Sequence, residues 1–245
     1  MEKPSVSTAL STPFRSARYV RHNARRMEHL ATLGLPLRGR TVLELGAGIG
    51  DHTSFFLDRG CKATLIEGRS ENLDILRQSF ASEQKWVEGT DFTVVQADLD
   101  MPEMTEVAPH EIVFCYGLLY HLNNPFRLLK WAAPLCADLM LCETCVTYDD
   151  SSRGGAVKEN AVSPTQALNG VGARPTRRQI MAALQELFPH VYVPATQPWH
   201  EEFPTDWTLP QPQAGSSRAI FIATRQALPS SPCILDYLPD HYERI

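Results

Sequence analysis

The sequence predicts an α/β protein with a doubly wound, mostly parallel sheet of seven strands and an N-terminal helical lid. Three observations support this fold class. Seven short apolar runs are separated by helical patterns up to the sixth run, a glycine-rich turn follows the first run, and the last two runs follow each other without a helix. That final pair predicts an antiparallel pairing. With 245 residues, 43% of them hydrophobic, the chain can bury one large core.

Composition and charge divide the chain further. We expect an arm and helical lid at 1–39, a main domain at 40–228 with insertions at 144–173 and 195–216, and a tail at 229–245. Residues 1–40 contain eight basic and two acidic residues, so the rest of a chain with net charge −5 has a net charge of −11. Because nucleic-acid binding depends on many phosphate contacts, an acidic body disfavours it.

No run of about 18 apolar residues is present, and the first ten residues lack a secretion signal, so we expect a cytoplasmic protein that does not cross a membrane. The six cysteines mostly lie in apolar runs. Cys142 and Cys145 have C-x-x-C spacing without a second pair, which favours buried thiols over a zinc site. No cluster of metal ligands is evident, and none is predicted.

A helical pattern runs from Pro13 to about Leu33, with an apolar stripe and a basic stripe. One interpretation is a packing helix whose basic face is solvated. The other is a lid over a pocket, with Tyr19, His22 and Arg26 lining the site of an acceptor molecule. In the second case, an acceptor with a carboxylate or phosphate accounts for the arginines, with Arg174, Arg177 or Arg178 as a further contact.

The first strand, Thr41–Leu45, leads into Gly46, Gly48 and Gly50, and a helix follows from about Asp51 to Arg59. Glycine permits positive φ angles and lets a ligand approach the backbone. The spacing is G-x-G-x-G, whereas a dinucleotide site has G-x-G-x-x-G. Glu44, two residues before the first glycine, is unfavourable beside a diphosphate, so a cofactor with positive charge fits better.

Acidic residues also end the next two strands. Glu67 ends Lys62–Glu67, where a carboxylate can accept both hydroxyl hydrogens of a ribose, and Ser70 then begins a helix. The third strand, Phe92–Ala97, ends at Asp98-Leu99-Asp100. An acid at the position of Glu67 is compatible with NAD as well, so Glu67 alone does not select the cofactor.

At these residues the sequence resembles the class I S-adenosylmethionine-dependent methyltransferases, which have a Rossmann-like fold. Their first motif is an acid, an apolar residue and G-x-G-x-G, which matches Glu44 and the three glycines. The resemblance implies that Glu67 binds the ribose and that Asp98, with Leu99 beside it, binds the adenine. This third motif favours S-adenosylmethionine over NAD.

The fourth strand, Glu111–Tyr116, continues into Gly117-Leu-Leu-Tyr-His-Leu-Asn-Asn-Pro125, and Asn124 or Asn123 caps the next helix. The phrase is similar to the fourth motif of small bacterial methyltransferases, including tRNA wobble-uridine-modifying enzymes. The resemblance implies that Tyr116 and Gly117 border the methionine end of the cofactor. Tyr120 and His121 would then face the acceptor, and His121 and His22 are candidate bases.

The remaining elements are a fifth strand at Asp138–Glu143, one long loop at 144–173, a helix capped by Thr176 and Gln179, a sixth strand at His190–Val193 and a last strand at Arg218–Thr224. The loop and an aromatic insertion at 199–207 are expected to enclose a small molecule.

The sequence therefore predicts a transferase that moves a methyl group from S-adenosyl-L-methionine to a small-molecule acceptor. The alternatives are a tRNA-modifying methyltransferase, an NAD-dependent oxidoreductase and a non-catalytic cofactor-binding domain.

Overall fold

The computed structural model describes residues 13–83, 85–147, 155–209 and 217–244. Its main sheet has eight strands in the order β3-β2-β1-β4-β5-β10-β8-β11. They are β1 (Thr41–Leu45), β2 (Lys62–Glu67), β3 (Phe92–Gln96), β4 (His110–Tyr116), β5 (Cys136–Val146), β8 (His190–Pro194), β10 (Ser217–Thr224) and β11 (Ile234–Leu235). All seven predicted strands and the fold class are confirmed.

Strand direction follows the prediction as well. Strands β3, β2, β1, β4 and β5 pair in parallel, whereas β10 is antiparallel to both β5 and β8. The additional strand β11 belongs to the C-terminal segment and pairs with β8 at the edge of the sheet. Two further short strands, β9 (Thr196–Gln197) and β12 (Glu243–Arg244), pair with each other. The C-terminal segment is thus joined to the body by two strand pairings.

Five α-helices in the described residues pack around the sheet: α1 (Ala17–Thr32), α2 (Thr53–Leu57), α3 (Ser70–Glu83), α4 (Pro125–Ala132) and α5 (Arg177–Leu187). Their starts follow the capping signals in the sequence. Asn124 accepts a hydrogen bond at the start of α4, and Thr176 and Gln179 form the predicted capping box of α5. Helix α2 is shorter than predicted.

The prediction of one long loop at 144–173 is wrong in part. Strand β5 continues to Val146, and β6 (Gly155–Lys158) pairs with β7 (Val171–Arg174) as a hairpin. Residues 148–154 of the predicted loop lie outside the described part of the chain. Strand β6 is largely exposed, β7 is only partly buried, and both contain glycine, so they lack the apolar alternation that marks a core strand.

In the described residues, the core consists of two large hydrophobic clusters on the two faces of the sheet and a small third one of Phe14, Ile49 and Ile75. Central strands are buried on both faces, and all eight residues of β10 are buried. All six cysteines are free thiols, of which Cys142 and Cys145 are buried in β5. Among the described helices, none is long and apolar enough to cross a membrane.

Candidate active site

A cavity of about 390 Å³ lies over the carboxyl ends of the parallel strands, where open α/β sheets bind their ligands. Nearly all the predicted site residues line it. They are Tyr19, His22, Arg26, Gly46, Gly48, Glu67, Asp98, Leu99, Tyr116, Gly117, Tyr120, His121 and Arg174. Two predicted residues, Glu44 and Gly50, do not line this cavity.

The glycine turn brings bare backbone to the cavity wall. Gly46 and Gly48 have φ angles of +74° and +57°, which side chains other than glycine rarely adopt. Three N–H groups at the start of the turn are already bonded inside the protein: Gly46 and Ala47 donate to the carbonyl of Ile66, and Gly48 donates to Glu67. A pyrophosphate needs such N–H groups free, so this turn does not suit a dinucleotide.

Glu67 stands at the end of β2 with its carboxylate fixed by neighbouring groups. One oxygen accepts the N–H of Gly48 at 2.9 Å, and the other accepts the N–H of Arg69 at 2.9 Å and the amide of Asn72 at 3.2 Å. A carboxylate has about four lone-pair positions, so one remains for a further donor. The geometry is compatible with a hydroxyl-bearing ligand beside the glycine turn.

Asp98 lies after β3 at the same end of the cavity. Its carboxylate accepts the N–H of Asp100 at 2.9 Å and the side-chain amide of Asn169 at 3.0 Å. Asn169 belongs to the segment between β6 and β7, which also contacts α3 where Asn72 donates to the carbonyl of Pro164. This segment therefore covers the Glu67 and Asp98 end of the cavity.

The prediction that Glu44 faces the cofactor is not supported by its position. Side chains alternate along a strand, so Glu44 shares a face with Val42 and is buried beneath the sheet, where Thr53 donates a hydrogen bond to it at 2.7 Å. Burial raises the pKa of its carboxyl to about 8. Near neutral pH, Glu44 is mostly protonated and helps to fix α2 instead of supplying negative charge to a ligand.

The raised pKa of Glu44 predicts a pH-dependent stability. The carboxyl ionises near pH 4.5 in the unfolded chain and near 8 in the folded protein, so the free energy of unfolding falls as pH rises between these values. Glu44→Gln removes this loss, and its stability relative to wild type should rise by up to about 1.4 kcal/mol per pH unit. Urea unfolding at pH 5.5 and 8 measures this; the exposed Glu71→Gln is the control, and an unchanged difference at both pH values would contradict the assignment.

Gly50 also has a packing role instead of a ligand role. A Cβ atom there would lie 3.0 Å from Leu76 and 3.0 Å from Phe80, both on α3. The residue has a φ angle of +84°, so it turns the chain away from the cavity and into α2. The third glycine of the motif is required for the contact between this turn and α3.

The inner wall of the cavity is a buried ionic cluster that sequence analysis missed. Glu143, fully buried at the carboxyl end of β5, accepts hydrogen bonds from Arg26 at 2.8 Å and Arg218 at 2.9 Å. Arg218 also donates to Glu202 at 2.6 Å and to the hydroxyl of Tyr120 at 3.1 Å. We define these residues, Arg26, Glu143, Glu202 and Arg218, as the ionic cluster. It joins α1, β5, β10 and the 199–207 insertion.

The basic stripe of α1 is paired with acidic side chains of this chain. Arg18 donates to Glu202 at 2.6 Å, Arg21 forms a two-point ion pair with Glu201, and Arg26 belongs to the ionic cluster. The helix also buries Leu30 and His29 against the body. Helix α1 is therefore packed against the body, and Tyr19, His22 and Arg26 of this helix line the cavity.

The residues proposed as catalytic are brought to one end of the cavity. Burial, together with Arg26 and Arg218, holds the pKa of His22 far below its usual value, and its Nε2 has no hydrogen-bond partner among the described residues. Burial also raises the pKa of Tyr120. The ring of His121 lies against Tyr120, and its Nδ1 contacts a carboxylate oxygen of Glu159 at 2.5 Å.

Glu159 was not singled out by its sequence, because it follows β6 in a segment predicted as loop. The fold brings it to the site through a close approach of β7 to the turn at Leu119–His121. A Cβ atom on Gly172 would lie 2.2 Å from the carbonyl oxygen of Tyr120 and 2.8 Å from Glu159. The glycine was the only local signal of this contact.

One group in the described residues has the composition of a metal site, namely His22, His200 and Glu202. Its chemistry is unfavourable for a cation. Glu202 is already bonded to Arg18 and Arg218, and Nδ1 of His200 accepts the N–H of Glu202, which places the proton of a neutral ring on Nε2. We assign no metal to it.

Comparison with protein-family profiles and with curated proteins gives no match. Solved structures do match. The N-terminal domain of EvdMO1, crystallised with S-adenosylhomocysteine and D-fucose, is 22% identical over 83% of each chain, with a TM-score of 0.63. A methyltransferase from Mesorhizobium loti is 16% identical over 84% of this chain and 100% of that one, with a TM-score of 0.56.

A third similar structure is magnesium protoporphyrin IX methyltransferase from Synechocystis PCC 6803 with bound S-adenosylhomocysteine. It is 13% identical over 92% of this chain and 90% of its own, with a TM-score of 0.55. At these identities the likeness establishes the fold. The chain has the Rossmann-like fold of the S-adenosylmethionine-dependent methyltransferases, as its motifs predicted.

Proposed function

We propose that this protein transfers a methyl group from S-adenosylmethionine to a small-molecule acceptor. The observation that carries the proposal is the cavity at the strand ends, where the glycine turn, Glu67, Asp98 and the Tyr116–His121 turn meet. Similarity of the fold to methyltransferases, several of them with S-adenosylhomocysteine bound, supports it.

The residues at one end of the cavity fit an adenosine. The Cα of Gly46 and of Gly48 lets a ligand lie against the backbone, Glu67 offers a lone pair for ribose hydroxyls, and Asp98 offers one for an amino group. Tyr116 and Gly117 lead from there to the acceptor end, and the buried hydroxyl of Tyr116 has no partner among the described residues. When bound, S-adenosylmethionine supplies an electrophilic methyl group; the protein supplies position and orientation.

The acceptor end is enclosed by α1, the ionic cluster and the hairpin β6–β7. Its arginines are matched by Glu143, Glu159 and Glu202, so it offers polar contacts without a large excess of positive charge. These pairings favour a neutral, polar acceptor over the anionic one that the basic stripe alone suggested. Two of the similar structures support a small-molecule acceptor: a mitomycin 7-O-methyltransferase, and the N-terminal domain of EvdMO1 crystallised in the presence of D-fucose.

The alternatives have less support. Bonded N–H groups in the glycine turn disfavour the pyrophosphate of NAD. Two observations disfavour tRNA. The body of the protein is acidic, and the arginines of α1 nearest the cavity are already paired with acidic side chains. A non-catalytic cofactor-binding domain does not require the carboxylate-backed imidazole at the acceptor end.

Glu67→Ala tests the cofactor assignment. We expect its affinity for S-adenosylmethionine to fall by about 1–3 kcal/mol, the scale of losing hydrogen bonds to a charged group. Isothermal titration calorimetry measures the effect, with the exposed Glu71→Ala on α3 as the matched control. Equal affinities in the two folded variants would remove Glu67 from the cofactor site.

A further inference from the structure

The side chain of His121 is held from one side by a buried carboxylate. Its Nδ1 contacts Oε2 of Glu159 at 2.5 Å, and the Glu159 side chain is only 3% exposed. The same oxygen accepts the N–H of Ala167 at 2.8 Å, and Arg174 lies 3.3 Å from the other oxygen. With three partners, the carboxylate has a fixed position and fixes the imidazole in turn.

This contact determines which ring nitrogen carries the proton. Burial alone would raise the pKa of Glu159, but the hydrogen bond from His121 and the charge of nearby Arg174 hold it below its usual value, so the carboxylate is ionised and only accepts. The proton of a neutral His121 therefore lies on Nδ1. Its Nε2 presents a lone pair, has no partner in the described residues, and belongs to a residue that lines the cavity.

We propose that His121 is the base that removes the proton from a hydroxyl group of the acceptor. Glu159 is the positioning residue, which fixes the imidazole ring and keeps the proton of its neutral form on Nδ1. This inference rests on the proposed function and adds the chemical class of the acceptor, an alcohol or a phenol. An aliphatic amine is protonated at neutral pH, but it can lose that proton to water before it binds and then attacks through its lone pair, and a thiol ionises close to neutral pH. A hydroxyl keeps its proton at neutral pH and must lose it in the site to become a good nucleophile.

The step balances in atoms and charge. The acceptor oxygen forms a bond to the methyl carbon and gives its proton to Nε2 of His121. The bond between that carbon and the sulfonium sulfur breaks, and its electron pair stays on the sulfur. The positive charge that leaves the sulfur is replaced by the charge of the imidazolium, which Glu159 stabilises across a hydrogen bond.

Other groups at this end are poorly suited to the role. His22 is a weak base, because burial and the charges of Arg26 and Arg218 oppose its protonation. The Tyr120 hydroxyl accepts a hydrogen bond from Arg218, and burial disfavours its anion. Both His22 and His121 line the cavity, but Glu202 lies 3.8 Å from Nε2 of His22 without a hydrogen bond, whereas Glu159 is hydrogen-bonded to His121.

The charged groups that face His121 are Glu159, Arg174 and Arg218. Burial lowers the pKa of His121, the carboxylate opposes this, and the two arginines add to the lowering. The ring is therefore neutral, and able to accept a proton, at pH 7 and above. Loss of the Glu159 charge should lower this pKa further and leave a weaker base.

Nuclear magnetic resonance tests the arrangement without an acceptor. In full-length protein with ¹⁵N-labelled histidine rings, the His121 signals are assigned by their absence in His121→Asn. We expect a neutral ring with the proton on Nδ1 in wild type, and a lower pKa of His121 in Glu159→Gln, while half-buried His110 titrates as before. A proton on Nε2 in wild type, or an unchanged pKa in Glu159→Gln, would overturn the proposal.

Glu159→Asp keeps the negative charge on a side chain that is one methylene shorter. The pKa of His121 in this variant should lie between its values in wild type and in Glu159→Gln. If Glu159→Gln proves unstable, this second variant carries the measurement. If Glu159 had only a structural role, the pKa of His121 would not follow the charge at position 159 in this graded way. Titration of S-adenosylmethionine into the same preparations separates two failures: absent binding contradicts the proposed function, whereas normal binding with the wrong tautomer contradicts only the role of His121 and Glu159.

Turnover tests the acceptor class. Radiolabelled S-adenosylmethionine is incubated with the protein and three pooled sets of small molecules: phenols and alcohols, primary and secondary amines, and thiols. We expect label only in the hydroxyl set, about 10²- to 10⁴-fold less of it with His121→Asn, and no loss with the surface variant Glu103→Gln. Label that enters only the amine or thiol set would overturn the assignment.

Discussion

Glu143→Ala is expected to lower the free energy of unfolding by about 3–5 kcal/mol, the effect of breaking a buried ion pair. Glu143 is fully buried and joins two guanidinium groups, at 2.8 Å from Arg26 and 2.9 Å from Arg218. Without this carboxylate, the buried guanidinium groups of Arg26 and Arg218 lose the negative charge that they share. The contact that fastens α1 to the end of β5 is lost at the same time.

Urea unfolding at pH 7 measures this effect. The matched control is Glu88→Ala, which removes a partner of Arg77 from an ion pair whose side chains are 43% and 40% exposed. Exposed pairs contribute about 0–1 kcal/mol, so the control should remain close to wild type. Equal losses in the two variants would mean that the ionic cluster does not fasten α1 to the sheet.

Gly48→Val is expected to abolish measurable binding of S-adenosylmethionine, a loss of at least about 100-fold. The φ angle of +57° is unfavourable for a β-branched residue, and a Cβ atom at this position lies on the cavity wall, 3.3 Å from the ring of Phe14. The added side chain strains the turn and fills the space where a ligand meets the backbone. Calorimetry on the folded variant measures the affinity.

Gly60→Val is the control for backbone strain. Gly60 has a φ angle of +73°, but a Cβ atom there would contact nothing within 4 Å, and the residue does not line the cavity. The variant should lose stability and keep its affinity. If Gly48→Val binds S-adenosylmethionine as Gly60→Val does, the glycine turn does not border the ligand.

The strands, their directions and the place of most predicted site residues on the cavity wall were predictable because their signals are local. Apolar runs mark buried strands, and glycines mark the turn that must adopt positive φ. Glu67 and Asp98 were found because each directly follows or ends such a run. In a parallel sheet, those positions converge at one edge whatever the details of packing.

The ionic cluster and Glu159 were not predictable in the same way, since their partners are distant in sequence. Arg26 and Glu143 are 117 residues apart, and His121 and Glu159 are 38 apart across an insertion of weak pattern. Glu143 and Arg218 lie at the ends of two predicted strands, but the sequence pattern does not pair them. Their pairing depends on β10 lying beside β5, which the pattern alone did not specify.

For Glu44, in contrast, the local signal in the sequence was clear, but its side chain lies on a different side of the sheet from the one that the motif suggested. Its place in the motif suggested a ligand contact, but alternation along β1 turns its side chain toward Thr53 and the core. The Glu44 side chain is held in place by burial and by the hydrogen bond that Thr53 of α2 donates to it. A motif position therefore identifies the turn more securely than the direction of each side chain in it.

The most direct test of the account is a calorimetric titration of the wild-type protein with S-adenosylhomocysteine, S-adenosylmethionine and NAD⁺ in separate runs. The account predicts saturable binding of both sulfur compounds at one site per chain, with no heat of binding from NAD⁺. Saturable binding of NAD⁺, or no binding of either sulfur compound to folded protein, would contradict it.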